Sequence, residues 1–256
     1  MMNDNNQISK QTKLFGYIGE FAGVNRFSAV INKKFKTNGD DVMMIPMNIR
    51  EDDLYFTVSN MKESHVNGAV ISSEYVTEVL DLLDSSNSMV QRSGMCDIIY
   101  KEGKTLRGDI FSIRVLTEYL KDLRALKIAI IGTNHYAKAF SFLACGFNVS
   151  YFNDNLEELM TFTQEVDLND ADINRIAEGM SLDMSEYDAL LDFSNFKSLD
   201  MITALPEVSF DMKNSKQFSS LKQRAATLGS EYIGYEDMLD KLTEKAYSKI
   251  KRFKIQ

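Results

Sequence analysis

The stretch that most constrains the fold is "KIAIIGTNHYAKAF", residues 127–140. A continuous apolar run stops at Gly132, a polar turn follows, and apolar residues then return at helical spacing. Downstream, "NVSYFND" reads as a second strand that ends in polar residues. Strand, glycine turn, helix and second strand together make a βαβ unit, whose two strands are parallel. Where such a unit holds a dinucleotide, the glycine turn approaches the phosphates. Gly132 stands alone, without the second and third glycines of that fingerprint, and α/β domains that hold no nucleotide show the same order.

The same rhythm runs through the first half. "KLFGYIG" is an apolar strand, and "VNRFSAVINKKFKTNG" carries Val24, Phe27, Val30, Ile31 and Phe35 at helical spacing before Asn38 and Gly39. "DVMMIPMNI" is extended, and Pro46 suits an edge strand. "REDDLYFTVSNMKES" opens with acidic residues that suit a helix N-terminus. "VNGAVIS" is a strand and "SEYVTEVLDLLD" an amphipathic helix. This alternation predicts a mainly parallel sheet covered by helices. "MCDIIYKEGKTLRGD" reads as a hairpin turning at Glu102 and Gly103. "IFSIRVLTEYLKDLRAL" is a long helix ahead of the second α/β unit. In that unit "AKAFSFLACG" and "NLEELMTFTQEV" are helices, and "YDALLDFS" and "EVSFDM" are strands. "YEDMLDKLTEKAYSKIKRF" is the last helix.

The 256 residues suffice for one large or two medium domains. The formal net charge of −8 argues against a nucleic-acid or anionic-membrane partner and leaves a small-molecule ligand. The basic tail "KAYSKIKRFK" reads as a solvated helix face. Two cysteines, Cys96 and Cys145, lie far apart with no CxxC spacing, which fits a reducing cytoplasm and no metal site. The polar start "MMNDNNQISKQTK" reads as neither signal peptide nor anchor. Oligomeric state is not legible.

Taken together, the segments from about Lys13 to Phe253 resemble the shikimate dehydrogenase family by order and spacing. "FGYIGEFAGVNRFSAVINKKF" lies like the family's "G-L-I-G-x-P-x-x-H-S-x-S-P-x-x-H-N-x-x-F", keeping Ile18, Gly19, Asn32 and Phe35. "VNGAVISSEYVTEVLDLLD" lies like "x-x-G-x-N-V-T-x-P-x-K", with Gly68, Ser72 and Tyr75 in place. "IAIIGTNHYAKA" lies like "G-A-G-G-A-x-x-A", "YFNDN" like the "N-R-T" cofactor loop, and "GYEDML" like "G-x-x-M-L". The resemblance implies an N-terminal α/β substrate-type domain with a mainly parallel sheet (13–118). A C-terminal Rossmann-like nucleotide-binding domain follows (119–233), then a helix returning to the first domain (234–256). It further implies NAD(P)-dependent reduction of 3-dehydroshikimate, or of a related small acid, in a cleft between the domains.

The departures bear on chemistry. The family's reaction needs a lysine and an aspartate near the reacting oxygen, to stabilise charge and relay a proton. In this register the lysine position is Val76 and the aspartate position Ser112, so no catalytic residue is assigned. The serines that hold the substrate carboxylate fall near Gly23 and Asn25, the ring-hydroxyl asparagine on Cys96, and the last-helix glutamine near Leu242. Candidate substrate contacts are Asn25, Ser72, Asp109 and Ser112. Lys62, Glu74, Arg114 and Arg26 lie close in sequence, and Ser72 and Ser73 serve equally as helix caps. Candidate cofactor contacts are Gly132, Thr133, Asn134, His135, Asn153, Asp154 and Ser194. Asp154 replaces the arginine that grips a 2′-phosphate, which favours NAD over NADP if either binds. Asp192 changes the polarity beside Ser194. The alternative is a binding, regulatory or assembly protein on the same scaffold.

Overall fold

The computed structural model describes residues 11–168, 171–214 and 216–253. The expectations for the N-terminal stretch up to Lys10, and for the last residues of the basic tail, lie outside these. In chain order the first elements are β1 (Lys13–Gly19), α1 (Phe27–Thr37), β2 (Val42–Asn48), α2 (Glu51–Asn60), β3 (Val66–Ile71), β4 (Ser85–Ser86), α3 (Ser88–Ser93), β5 (Ile98–Glu102), β6 (Thr105–Asp109) and α4 (Ser112–Asp122). There follow β7 (Lys127–Ile131), α5 (His135–Ser141), β8 (Asn148–Asn153), α6 (Leu156–Glu165), β9 (Asp172–Arg175), β10 (Leu182–Asp183), β11 (Ala189–Asp192), β12 (Ile202–Ala204), β13 (Val208–Asp211), α7 (Ser220–Leu228) and α8 (Leu239–Arg252). Among the described residues no helix is long and apolar enough to cross a membrane.

The chain divides into two compact units. The first holds the described residues up to Ser86, Cys96–Asp109 and those from Thr243 on; the second holds Asn87–Met95 and Ile110–Leu242. These divisions differ from residues 118 and 233. Helix α4 goes with the second unit, where it buries Ile113, Val115, Leu116 and Leu120. Helix α3 goes there too, and its Arg92 stacks over the Phe142 ring at 3.9 Å.

In the first unit the sheet runs β2-β1-β3-β5-β6-β4. Strands β2, β1 and β3 are parallel, and β5 is antiparallel to both β3 and β6. Pro46 lies on the edge strand β2, where its missing N–H leaves no ladder bond unmade. The β5–β6 hairpin turns through Gly103, whose φ of +62° suits a residue without a Cβ. The helix expected over "SEYVTEVLDLLD" is not α-helical: only short 3₁₀ turns form, at Ser73–Tyr75 and Leu80–Leu82. Tertiary bonds claim this segment. The Val76 carbonyl accepts from Cys96 N at 2.7 Å, and the Tyr75 hydroxyl donates to the Ile49 carbonyl at 2.8 Å. The β-branched Val76, Thr77 and Val79 add little helical preference against them.

In the second unit the sheet β13-β11-β7-β8-β9 is parallel throughout. Ile128–Ile131 of the central strand are fully buried, which is why the run is apolar without alternation. Helix α7 escaped the sequence reading, although Ser219 caps its start and Gly229 (φ +67°) ends it.

From Thr243 on, α8 lies within the first unit. Tyr247 meets Phe35 with ring centroids 5.5 Å apart, and Phe253 stacks on Tyr100 at 4.4 Å. Lys249 is ion-paired with Asp109, each side chain one-fifth exposed, and Lys251 with Asp40. Lys249→Ala would remove the ammonium from a carboxylate that is one-fifth exposed, a case between exposed and fully buried pairs. We expect a loss of about 1–2 kcal/mol in urea unfolding; an unchanged midpoint would make the pair a mere surface contact.

Candidate functional site

The first unit gathers its candidate polar residues at the carboxyl ends of β1, β2 and β3. Asn25 accepts from Phe27 N at 2.8 Å and donates to the Tyr17 hydroxyl at 2.9 Å, so its amide fixes the entry to α1. Asn48, which no sequence motif singles out, accepts from Gly23 N at 2.6 Å. The Ser72 hydroxyl donates to Glu74 at 2.5 Å, and the other oxygen of Glu74 accepts from Glu20 N at 3.0 Å. Val76 is 1 % exposed and Cys96 fully buried, so neither reaches a ligand. Burial pushes the Cys96 thiol up, and neighbouring Asp97 adds to it.

Carboxylates crowd Tyr75 at this end of the sheet. Burial pushes the Tyr75 phenol up to about 12, with Glu20, Glu74, Glu51 and Glu78 adding repulsion toward the phenolate. Asp109, a candidate substrate contact, is held by Lys249 in the same unit, while Lys62 pairs with Asp84 at 2.7 Å. Ser112 is buried at the start of α4 and belongs to the second unit.

In the second unit the chain steps from β7 to β8 and β9 on one side, then crosses to β11 and β13 on the other. The switch point lies between β7 and β11, where open α/β sheets bind ligands at the carboxyl ends of their strands. A cleft of about 660 Å³ opens there. Gly132, Thr133, Asn134, Asn153, Asp154 and Ser194 line it; His135 does not. Gly132 has φ +93°, and a Cβ would stand 2.7 Å from the Phe193 carbonyl and Ser194 nitrogen. The glycine is therefore demanded by backbone packing, with or without a ligand.

The turn after Gly132 is already capped. Asn134 Oδ1 accepts from Tyr136 N at 2.9 Å and Ala137 N at 3.4 Å, taking N–H groups that a pyrophosphate would need. Helix α5 itself has only seven residues. Asn153 donates to Thr133 Oγ1 and to Glu158, both at 3.0 Å, tying the ends of β7 and β8 to α6. Among the described residues, four carboxylates line the cleft (Asp154, Glu157, Glu158, Glu165) against one ammonium, Lys138, a balance of −3. Lys138 pairs with Glu165 at 2.6 Å. The acidic end suits the hydroxyls of a ribose; the capped turn and the negative lining do not fit a pyrophosphate.

Two groups near the cleft take roles that the sequence did not show. Arg175, on the short strand β9, reaches the Asp154 carbonyl at 3.4 Å in an adjoining groove. Asp192, at the end of β11, accepts from the Ser194 hydroxyl at 2.6 Å and meets Lys213 at 3.5 Å. On the neighbouring strand Asp211 is fully buried and accepts from Ser219 at 2.5 Å and Tyr232 at 2.8 Å; burial raises its pKa despite these bonds. The Ser194 hydroxyl thus belongs to a buried network behind the cleft wall.

His135 stands beside Tyr136, ring centroids 4.5 Å apart, with Nε2 buried and without a hydrogen-bond partner among the described residues. Burial, then Lys138, hold its pKa down to about 4, against 6.5 for the ordinary imidazole. The unfolded chain therefore binds the proton first. The stability due to neutral His135 is complete above about pH 6.5 and is lost as pH falls toward 4, by at most about 3 kcal/mol. Melting curves at pH 7.5 and 4.5 should show a smaller acid loss for His135→Gln than for the parent; equal losses would refute a buried neutral ring.

No family model matches the chain. The shikimate dehydrogenase (NADP(+)) of Methanococcus maripaludis is 26% identical over 191 residues, covering 72% of this chain and 68% of that protein. The crystal structure of shikimate 5-dehydrogenase from Thermus thermophilus, in complex with NADP(H) and shikimate, superposes with a TM-score of 0.69. It is 14% identical, with 93% of this chain and 94% of that one covered. The ligand-free 5-ketofructose reductase of a Gluconobacter strain gives 0.68 at 18% identity, with 92% and 91% covered. With a mixed α/β first unit and a parallel Rossmann-like second unit, the chain shares the fold of these shikimate dehydrogenase structures.

Proposed function

We propose that this chain is a shikimate dehydrogenase-like protein that binds a small molecule but does not interconvert 3-dehydroshikimate and shikimate. One observation carries the reading: Val76, where the resemblance implies a lysine, is a core residue whose side chain is 1 % exposed. Val76 carries no ammonium and buried Ser112 no carboxylate, so neither of these two positions supplies a group to stabilise or protonate a developing alkoxide. The hydrogen bonds that engage Asn25 and Ser72, and the negative field around Tyr75, further disfavour a substrate carboxylate. The net charge of −8 supports a small ligand over nucleic acid. A cytoplasmic location accords with the cysteine usage.

A second reading is an oxidoreductase acting on another small substrate. The fold likeness to a 5-ketofructose reductase favours it, as does the nicotinamide dinucleotide carried by the Thermus relative. Thr133, Asn153 and Asp154 would meet the ribose, and Asp154 would favour NAD over NADP.

Absorbance at 340 nm with shikimate and either NAD or NADP tests the reading. No turnover above the uncatalysed rate is expected for the parent chain. Val76→Lys combined with Ser112→Asp should also stay inactive, and should lower stability, because the ammonium enters a closed core. Turnover by the parent would overturn the reading; turnover by the double variant alone would mean that its remaining contacts suffice.

A further inference from the structure

We infer that the cleft of the second unit takes a ligand without phosphate: a nucleoside-sized molecule carrying a vicinal diol, neutral or positively charged. The inference rests on the small-molecule reading above and departs from the dinucleotide that the fold family implies.

Three independent features converge. First, Asn134 Oδ1 occupies the Tyr136 and Ala137 N–H groups, at the point where a glycine turn would offer bare donors to phosphate oxygens. Second, the lining carries Asp154, Glu157, Glu158 and Glu165 against Lys138 alone, and Lys138 is neutralised by Glu165. A phosphate placed there meets repulsion from three further carboxylates, with the Glu165-paired Lys138 as the one ammonium among the described lining residues. Third, the end of β8 presents acceptors that a diol can use: the Asp154 carboxylate lines the cleft beside Glu158, which Asn153 holds in position. The half-buried ring of Phe196 adds an apolar wall for a flat base. The cleft of about 660 Å³ falls within the range of small-ligand sites. Arg175 is the cation nearest in sequence to this acidic set; it lines the adjoining groove rather than the cleft, and its Nε is turned to the Asp154 carbonyl. The adenosine half of a dinucleotide is thus accommodated, while its phosphate half is opposed.

Calorimetric titration of the full chain with adenosine, AMP, NAD and NADP tests this, at 20 mM and 500 mM NaCl. Adenosine should bind at least tenfold tighter than AMP, NAD or NADP at low salt. Added salt should strengthen AMP binding, because repulsion is screened, and leave adenosine unchanged. Glu165→Gln, which releases Lys138, should improve AMP several-fold and adenosine hardly at all. Asp154→Asn should weaken adenosine about tenfold. NAD or NADP binding tighter than adenosine, or AMP binding that weakens with salt, overturns the inference. Failure of adenosine to bind at 5 mM overturns it as well. Either failure without shikimate turnover leaves the small-molecule reading standing; tight NAD binding with turnover removes both.

Discussion

The close approach of Gly132 to the backbone of Phe193 and Ser194 holds the second unit together at its most consequential point. Two parallel strands, β7 and β11, end side by side there, and the chain has no room for a single methyl group between them. The left-handed turn this requires sends the chain into Thr133 and Asn134, and Asn134 then closes the start of α5. Two features of the cleft follow from that turn: the position of Thr133 beside Asn153 and the capping of the Tyr136 and Ala137 N–H groups. The glycine that would suggest a cofactor is thus explained by packing alone, and the residues after it give the cleft its character.

The first unit treats its carboxyl edge in a comparable way. Backbone N–H groups of Gly23, Phe27 and Glu20 are each satisfied by a side chain, from Asn48, Asn25 and Glu74. A loop tied down by so many local acceptors is well ordered, but its polar groups face inward to the chain. Around Tyr75 that edge carries Glu20, Glu51, Glu74 and Glu78, which oppose an anion at that point.

Much of the scaffold was legible from the sequence. The unbroken apolar run of Ile128–Ile131 follows from burial on both faces, and Gly103 marks the hairpin because the turn needs positive φ. The failures have physical causes. Over Ser73–Leu82 a helical pattern is overridden by bonds from distant residues, Cys96 and Ile49, which no local window contains. The partnership of Asp109 with Lys249 spans 140 positions, so Asp109 looked available in sequence. Strand β9, four residues long, is too short to show a period, and Arg175 was missed with it. Asn134 stands among the candidate cofactor contacts, yet its side chain fills the N–H donors that follow it, a bond no residue pattern displays.

The make-up of the first unit has a consequence for biosynthesis. Its sheet is translated early, yet the segment from Thr243 on, with Tyr247, Lys249 and Phe253 laid against Phe35, Asp109 and Tyr100, emerges only after the second unit has been made. Until that segment emerges the Phe35 and Tyr100 rings lack these contacts, while the second unit has all its segments in hand sooner. Completion by so distant a segment raises the contact order of the first unit, which slows its closure.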